Sequence, residues 1–250
     1  MAKKYKVYLG IGHGGSDPGA VANGIKEKDA NLVIGKAAAA ELERHGVEVM
    51  LSRTTDITEG TNAKVKECNK FAPDLAGDIH NNAGGGDGAE VYHSINGGTG
   101  KSLANNILTE VKAIGQNSRG AKTKKNSSGK DYFNFIRSTN CPAVIVECAF
   151  LDNKNDVQII DTTAEQKAMG VAIAKGFLRQ LGIAYKKQET AAKTEPAPAP
   201  AVTTTTGTMY RVFDKDGKQV GAYSKESGAL TTVKKLLASE GKATITLGEK

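Results

Sequence analysis

Four residues of this chain have the types and settings for hydrolytic chemistry. His13 stands in the glycine-rich stretch GIGHGGSDPGA, residues 10–20, straight after a short apolar run. Glu27 stands in GIKEKDA, His80 closes LAGDIH, and Glu147 follows the apolar run AVIV. Two imidazoles and one carboxylate are the ligand types of a catalytic zinc site, which keeps a fourth position open. Glu147, a carboxylate at the end of a buried strand, needs a function or a partner. It has the chemistry to act as general base and acid for a water beside a metal. Each residue also has a simpler reading. A histidine in a glycine loop is commonly a hydrogen-bonded turn residue, and a glutamate at a helix start is a favourable charge on the macrodipole. Taken one at a time, the residues leave both readings open.

The loop itself raises a competing chemistry. Gly10-x-Gly12 suggests a phosphate cradle, but the third glycine falls at 14 or 15 and Pro18 follows. Dinucleotide loops and P-loops need a helix that opens directly at the loop. Here the apolar pattern of a helix begins only near Asp29, so the metal reading is preferred over nucleotide binding.

These residues are positioned by alternating strands and helices. Residues 5–12 read as a buried strand, and 29–45 as a helix that opens near Asp29 and stops at Gly46. VEVMLS, LAGDIH, AEVYHS, YFNFIR and PAVIVECA read as further strands. TNAKVKECNKF, GKSLANNILTEVKAIG and TTAEQKAMGVAIAKGFLRQLG read as helices. The alternation predicts an α/β fold: a mostly parallel twisted sheet flanked by helices, plus a small α+β C-terminal module. Sites in such sheets lie beyond the C-terminal strand ends, where His13, His80 and Glu147 fall. His45, in the last turn of its helix, needs no metal, and His93 is expected on one face of an edge strand.

Residues 186–208 contain Pro196, Pro198 and Pro200 in Ala-Pro alternation and no periodic apolar pattern, which marks an extended linker. It separates a first domain, 1–185, from a module at 209–250. The module reads as strands MYRVF and KQVGAYS around a DKDG turn, a helix at 225–239 and a last strand ATITL. So short a unit buries little core by itself, and it is expected either to pair with a second copy, as a homodimer, or to lean on its neighbour.

The 250 residues are 24% charged and 39% hydrophobic, with a formal net charge of +7. No run approaches the roughly 20 apolar residues of a membrane span, and the N-terminus lacks the apolar core of a secretory signal. Cys68, Cys141 and Cys148 form no paired spacing, which fits a reducing compartment. Cys141 and Cys148 are expected in the core, with a thiol nucleophile as the alternative. Basicity favours anionic partners, but the chain carries no recognised nucleic-acid motif. The segment 115–132 is read as a basic loop, either simply solvated or a rim for carboxylates or an anionic polymer.

Six ordered segments, GHGGSDPGA, GIKEKDANL, LSRTTD, DIHNNA, RGAK and PAVIVECAFLDNKND, resemble the zinc-dependent N-acetylmuramoyl-L-alanine amidases of the amidase_3 type. Bacterial autolysins and phage endolysins belong to that group. The resemblance covers about residues 5–182. It implies that His13, Glu27 and His80 hold Zn2+, that Glu147 is the catalytic glutamate, and that Arg53 supports structure. Asn81 and Asn82 follow His80 where the family usually has a small residue and then Asn, and Cys148 departs from the small residue usual there. The implied substrate is peptidoglycan, cut between N-acetylmuramic acid and L-alanine. Another zinc amidohydrolase or peptidase is the alternative. The implied setting is a protein made in the host cytoplasm that acts on the wall after release, as a lysis endolysin or a host autolysin. The tail looks like half of a sporulation-related wall-binding repeat.

Overall fold

In the computed structural model, which describes residues 3–187, 208–223, 233 and 244–249, the first apolar run forms β1 (Lys6–Ile11). A small hairpin, β2 (Val21–Ala22) and β3 (Ile25–Lys26), leads directly into α1 (Glu27–Arg44). Then come β4 (Glu48–Leu51), α2 (Thr61–Phe71), β5 (Leu75–Asn82), β6 (Ala89–His93) and α3 (Gly98–Ala113). β7 (Ser118–Lys122), α4 (Asn134–Ser138), β8 (Ala143–Phe150), α5 (Lys154–Val157) and α6 (Thr163–Leu181) complete the first unit. The chain divides into two compact units, Met1–Gln188 and Glu189–Lys250.

The central sheet runs in the order β4-β1-β5-β8-β6-β7. β4, β1, β5 and β8 are parallel, and β6 and β7 run antiparallel to them. Alternation along the strands splits the core in two, because successive side chains point to opposite faces. Val7, Leu9 and Ile11 face one way and pack with residues of α1, α3 and α6, including Ile34, Ile107 and Phe177. Tyr8 and Ala76 face the other way and pack with Val65 and Cys68 of α2 and Phe135 of α4. Each fully buried Leu, Ile or Phe side chain contributes roughly 1.5–3 kcal/mol.

The helix ends follow from local chemistry. Glu27 and Asp29 lie in the first turn of α1, where negative charge meets the positive end of the dipole. Thr162 and Glu165 form a reciprocal capping box at the start of α6, and Gly182, with φ +71°, ends it.

Three expectations need correction. YFNFIR is not a strand: its core forms the short helix α4, which buries Phe135 and Ile136. A short apolar run is ambiguous between a strand and a buried helix turn, and packing against Tyr8, 6.2 Å between ring centroids, decides it. The segment 115–132 is not wholly a loop, since β7 pairs in parallel with β6 as an edge strand. Its polar SRGAK pattern hides it, because one edge and one face meet solvent. β6 therefore lies inside the sheet, and His93 is buried rather than on an edge, with Nδ1 2.8 Å from the Ser94 carbonyl. Cys148 is fully buried and Cys141 partly so.

In the second unit, β9 (Thr208–Phe213), β10 (Gln219–Tyr223) and β11 (Thr244–Glu249) form an antiparallel sheet in the order β10-β9-β11, with Val212 buried. The expected linker lies outside the described residues between 188 and 207, and the expected helix at 225–239 lies outside them except at position 233.

Candidate active site

The site forms on the α2 and α4 face of the sheet, near the C-terminal ends of the parallel strands. His80 on β5 and Glu147 on β8 are register partners, and Glu147 is in turn the partner of Glu90 on β6. Three ionisable side chains thus stand side by side on neighbouring strands. His13 arrives from the loop after β1, and Glu27 from the first residue of α1.

Glu27 is the hub. Its Oε2 lies 3.1 Å from His13 Nε2, and its Oε1 lies 3.0 Å from His80 Nδ1. The three donor atoms of His13, Glu27 and His80 all lie within 4.8 Å of one another. The backbone also holds the carboxylate: Ala20 N–H donates to Oε2 at 2.9 Å, and Asn81 N–H donates to Oε1 at 3.0 Å. Asn31, one helical turn on, donates to Oε1 at 3.2 Å and to the Gly12 carbonyl at 3.1 Å. The short β2–β3 hairpin starts α1 at Glu27, so its side chain turns inward beneath the loop.

Each histidine carries a carboxylate on its far nitrogen. His13 Nδ1 lies 2.8 Å from Asp17 Oδ2, and His80 Nε2 lies 3.5 Å from Asp78 Oδ2. Asp78 is itself paired with buried Lys64 at 2.9 Å. Such outer carboxylates fix the tautomer and the ring orientation of a metal-ligating imidazole.

The glycines of the loop make this convergence sterically feasible. A Cβ on Gly12 would sit 2.4 Å from the His80 ring. Gly19, with φ +64°, would place one 2.5 Å from Glu27 Oε2 and 2.6 Å from His13. Arg53, buried, braces the same loop by donating to the carbonyls of Gly12 (3.2 Å) and Lys28 (2.7 Å).

Electrostatics separate the carboxylates. Burial alone would raise Glu27, but the hydrogen bonds from His13 and His80 hold it well below the usual carboxylate range. Burial pushes Glu147 up to about 7; Glu27, Glu90 and Asp78 add to this, while His80 opposes it. Glu147 Oε2 is buried with no hydrogen-bond partner among the described residues. Glu147 opens into a cavity of about 340 Å³ that Asp78, His80, Tyr132, Phe133 and Asn134 also line.

The structure therefore brings His13, Glu27 and His80 together and sets Glu147 beside them. Sequence reading missed Asp17, Asn31, Asp78, Lys64 and Glu90. The available signals were an acid four residues after His13 and charged residues within strands that otherwise read as buried.

A family model described as N-acetylmuramoyl-L-alanine amidase, Amidase_3, matches residues 7–179. The chain is 34% identical over 200 residues to the N-acetylmuramoyl-L-alanine amidase CwlM of Bacillus licheniformis, covering 76% of each chain. It is 34% identical over 202 residues to the endolysin of Bacillus phage SPP1, covering 77% of this chain and 72% of that one. Among solved structures, Cwp6 from Clostridium difficile superposes with a TM-score of 0.70 at 37% identity. That match covers 72% of this chain and 30% of Cwp6.

Proposed function

The chain belongs to the N-acetylmuramoyl-L-alanine amidase family, and from that premise we propose how its own residues divide the work. It is a peptidoglycan hydrolase of the amidase class. The bond cut joins the lactyl carbonyl of N-acetylmuramic acid to the nitrogen of L-alanine, the first residue of the stem peptide.

His13, Glu27 and His80 are the residues that would hold zinc. The fit rests on three converging donors of suitable type, two of them backed by carboxylates on their far nitrogens. Zinc bound there would supply Lewis acidity, polarising the scissile carbonyl and easing deprotonation of water.

Glu147 moves the proton. Its ionised carboxylate accepts a proton from the attacking water and, once protonated, gives it to the departing amine of L-alanine. In the metal-free protein burial raises Glu147 to about 7, toward the range in which a carboxyl serves in both forms at neutral pH. The observation that carries this reading is the buried Oε2 of Glu147, without a partner among the described residues, on a residue that lines the cavity one strand from His80.

The second unit is assigned as a wall-binding module. A tether of the kind read at 186–208 would raise the enzyme's effective concentration at an insoluble substrate, and a second copy of the module is its candidate partner. Among the described residues no helix is long and apolar enough to cross a membrane. The reading includes synthesis in the host cytoplasm and action on the wall after release. A phage endolysin and a Bacillus amidase match at the same 34% identity, and the chemistry is the same for lysis or wall turnover.

The deciding experiment is mass spectrometry of purified peptidoglycan digested with and without a chelator. Stem peptides with a free N-terminal alanine, lost on chelation and restored by zinc, are the expected products. New termini at any other amide would overturn the reading.

A further inference from the structure

Beside the hydrolytic centre lies a charged cluster that the chemistry above leaves unused. Glu90, the register partner of Glu147, has a side chain only 4% exposed. Arg119 Nε and Lys122 Nζ both reach its Oε1, the lysine at 2.6 Å, and the Tyr92 hydroxyl donates to Oε2 at 3.0 Å. Two cations against one carboxylate leave an excess positive charge. The cations are the accessible part, with side chains 40% and 31% exposed.

Arg119 is oriented from two directions. Glu90 holds its Nε, and its guanidinium lies over the Phe150 ring, 5.3 Å from the centroid. Both its Nη nitrogens have no hydrogen-bond partner among the described residues. A guanidinium with a free, fixed fork matches the geometry of a carboxylate.

Resting on the amidase reading, we propose that Arg119 and Lys122 form a subsite for a carboxylate of the stem peptide, on the leaving side of the scissile amide. The muramoyl side offers no carboxylate near this bond, because its lactyl carboxyl is already in the amide. β7 stands two strand spacings from β8, or about 10 Å. An extended peptide spans that distance in about three residues, so the carboxylate belongs to the second or third, the carboxyl of the first being in the next peptide bond. Glu90 is a positioning residue: it holds both cations at one point and offsets the cost of bringing them together.

The test uses two soluble muramoyl tripeptides, one with the carboxylates of its second and third residues free and one with both as carboxamides. The native zinc-loaded enzyme is expected to release N-terminal alanine from the free form with a kcat/KM at least tenfold higher. Arg119→Gln is expected to bring that ratio close to one. The ratio is internal to each preparation, so a loss of folded protein does not move it, and a purely structural role for Arg119 would slow both compounds alike. A native ratio near one overturns the inference, and so does an Arg119→Gln enzyme that keeps the native ratio. A native enzyme that releases alanine from neither compound overturns the amidase reading itself, and the inference with it.

Discussion

Glu27 and Glu147 lie at the same end of the same sheet, and their surroundings treat them in opposite ways. On the β1–α1 side, both oxygens of Glu27 are taken up by two imidazoles, two backbone N–H groups and an asparagine amide. On the β8–β6 side, Glu147 has a buried oxygen without a partner among the described residues, and further carboxylates nearby. One carboxylate is held charged and the other is raised toward neutral pH, the contrast that the proposed ligand and proton-transfer roles require. Pairs pushed apart in this way mark the division of roles in acid–base enzymes. What separates two chemically identical groups is which neighbours the fold brings to each.

The comparison can be broken most sharply on the ligand side. Glu27→Ala should abolish zinc retention and reduce peptidoglycan hydrolysis to background, read as zinc content after dialysis and as released N-terminal alanine. A variant that keeps one zinc per chain would remove Glu27 from the metal site. Glu147→Gln should retain zinc and the fold while turnover falls by about 10²–10⁴-fold, the usual worth of a general acid–base group. Full activity there would remove Glu147 from the mechanism.

A smaller effect is expected one shell out. Asp17→Asn leaves all ligands in place but weakens the hold on His13 Nδ1, so zinc affinity should fall about 10–100-fold in competition with a chelator. Unchanged affinity would show that the Gly-rich loop alone orients the ring.

The smallest effect is the most diagnostic of the contrast. In zinc-free protein, Glu27 is depressed below its unfolded value of 4.5, so its stabilisation is present above that pH and is lost as pH falls through the lower folded value. Glu147 is raised from 4.5 to about 7, so the folded state binds more protons than the unfolded state between those values. Its contribution therefore turns against the fold as pH rises through that window. At pH 8, Glu27→Gln should lower the melting temperature and Glu147→Gln should raise it, each by a few degrees. The Glu147→Gln gain should fade toward pH 4.5. Shifts of the same sign at pH 8 would mean that the two environments do not differ as described.

Much of this was legible in the chain because its signals are local. Apolar runs end at His80 and just before Glu147, and His13 stands in a glycine-rich loop straight after the first apolar run. Arg53, expected as a structural arginine, braces the loop through backbone carbonyls. Other features depend on partners remote in sequence. YFNFIR turned into a helix because Phe135 packs on Tyr8 on the α2 and α4 face of the sheet, and SRGAK became a strand because β6 offered it an edge. His93 reads as an edge residue until β7 covers that side.

The sequence by itself determined the inventory: two imidazoles, a helix-start glutamate and a strand-end glutamate, carried on an α/β alternation with its apolar periods. These follow from side-chain chemistry and backbone preference, which act over a few residues. Only the tertiary structure decided the registers that place His80, Glu147 and Glu90 in one row. Only it decided that Gly12 and Gly19 leave room for the rings and the carboxylate to meet. The physical reason is that burial and Coulomb interactions act through space, between residues as far apart in sequence as Glu27 and Glu147, 120 positions. No stretch of chain contains that distance until the sheet has formed.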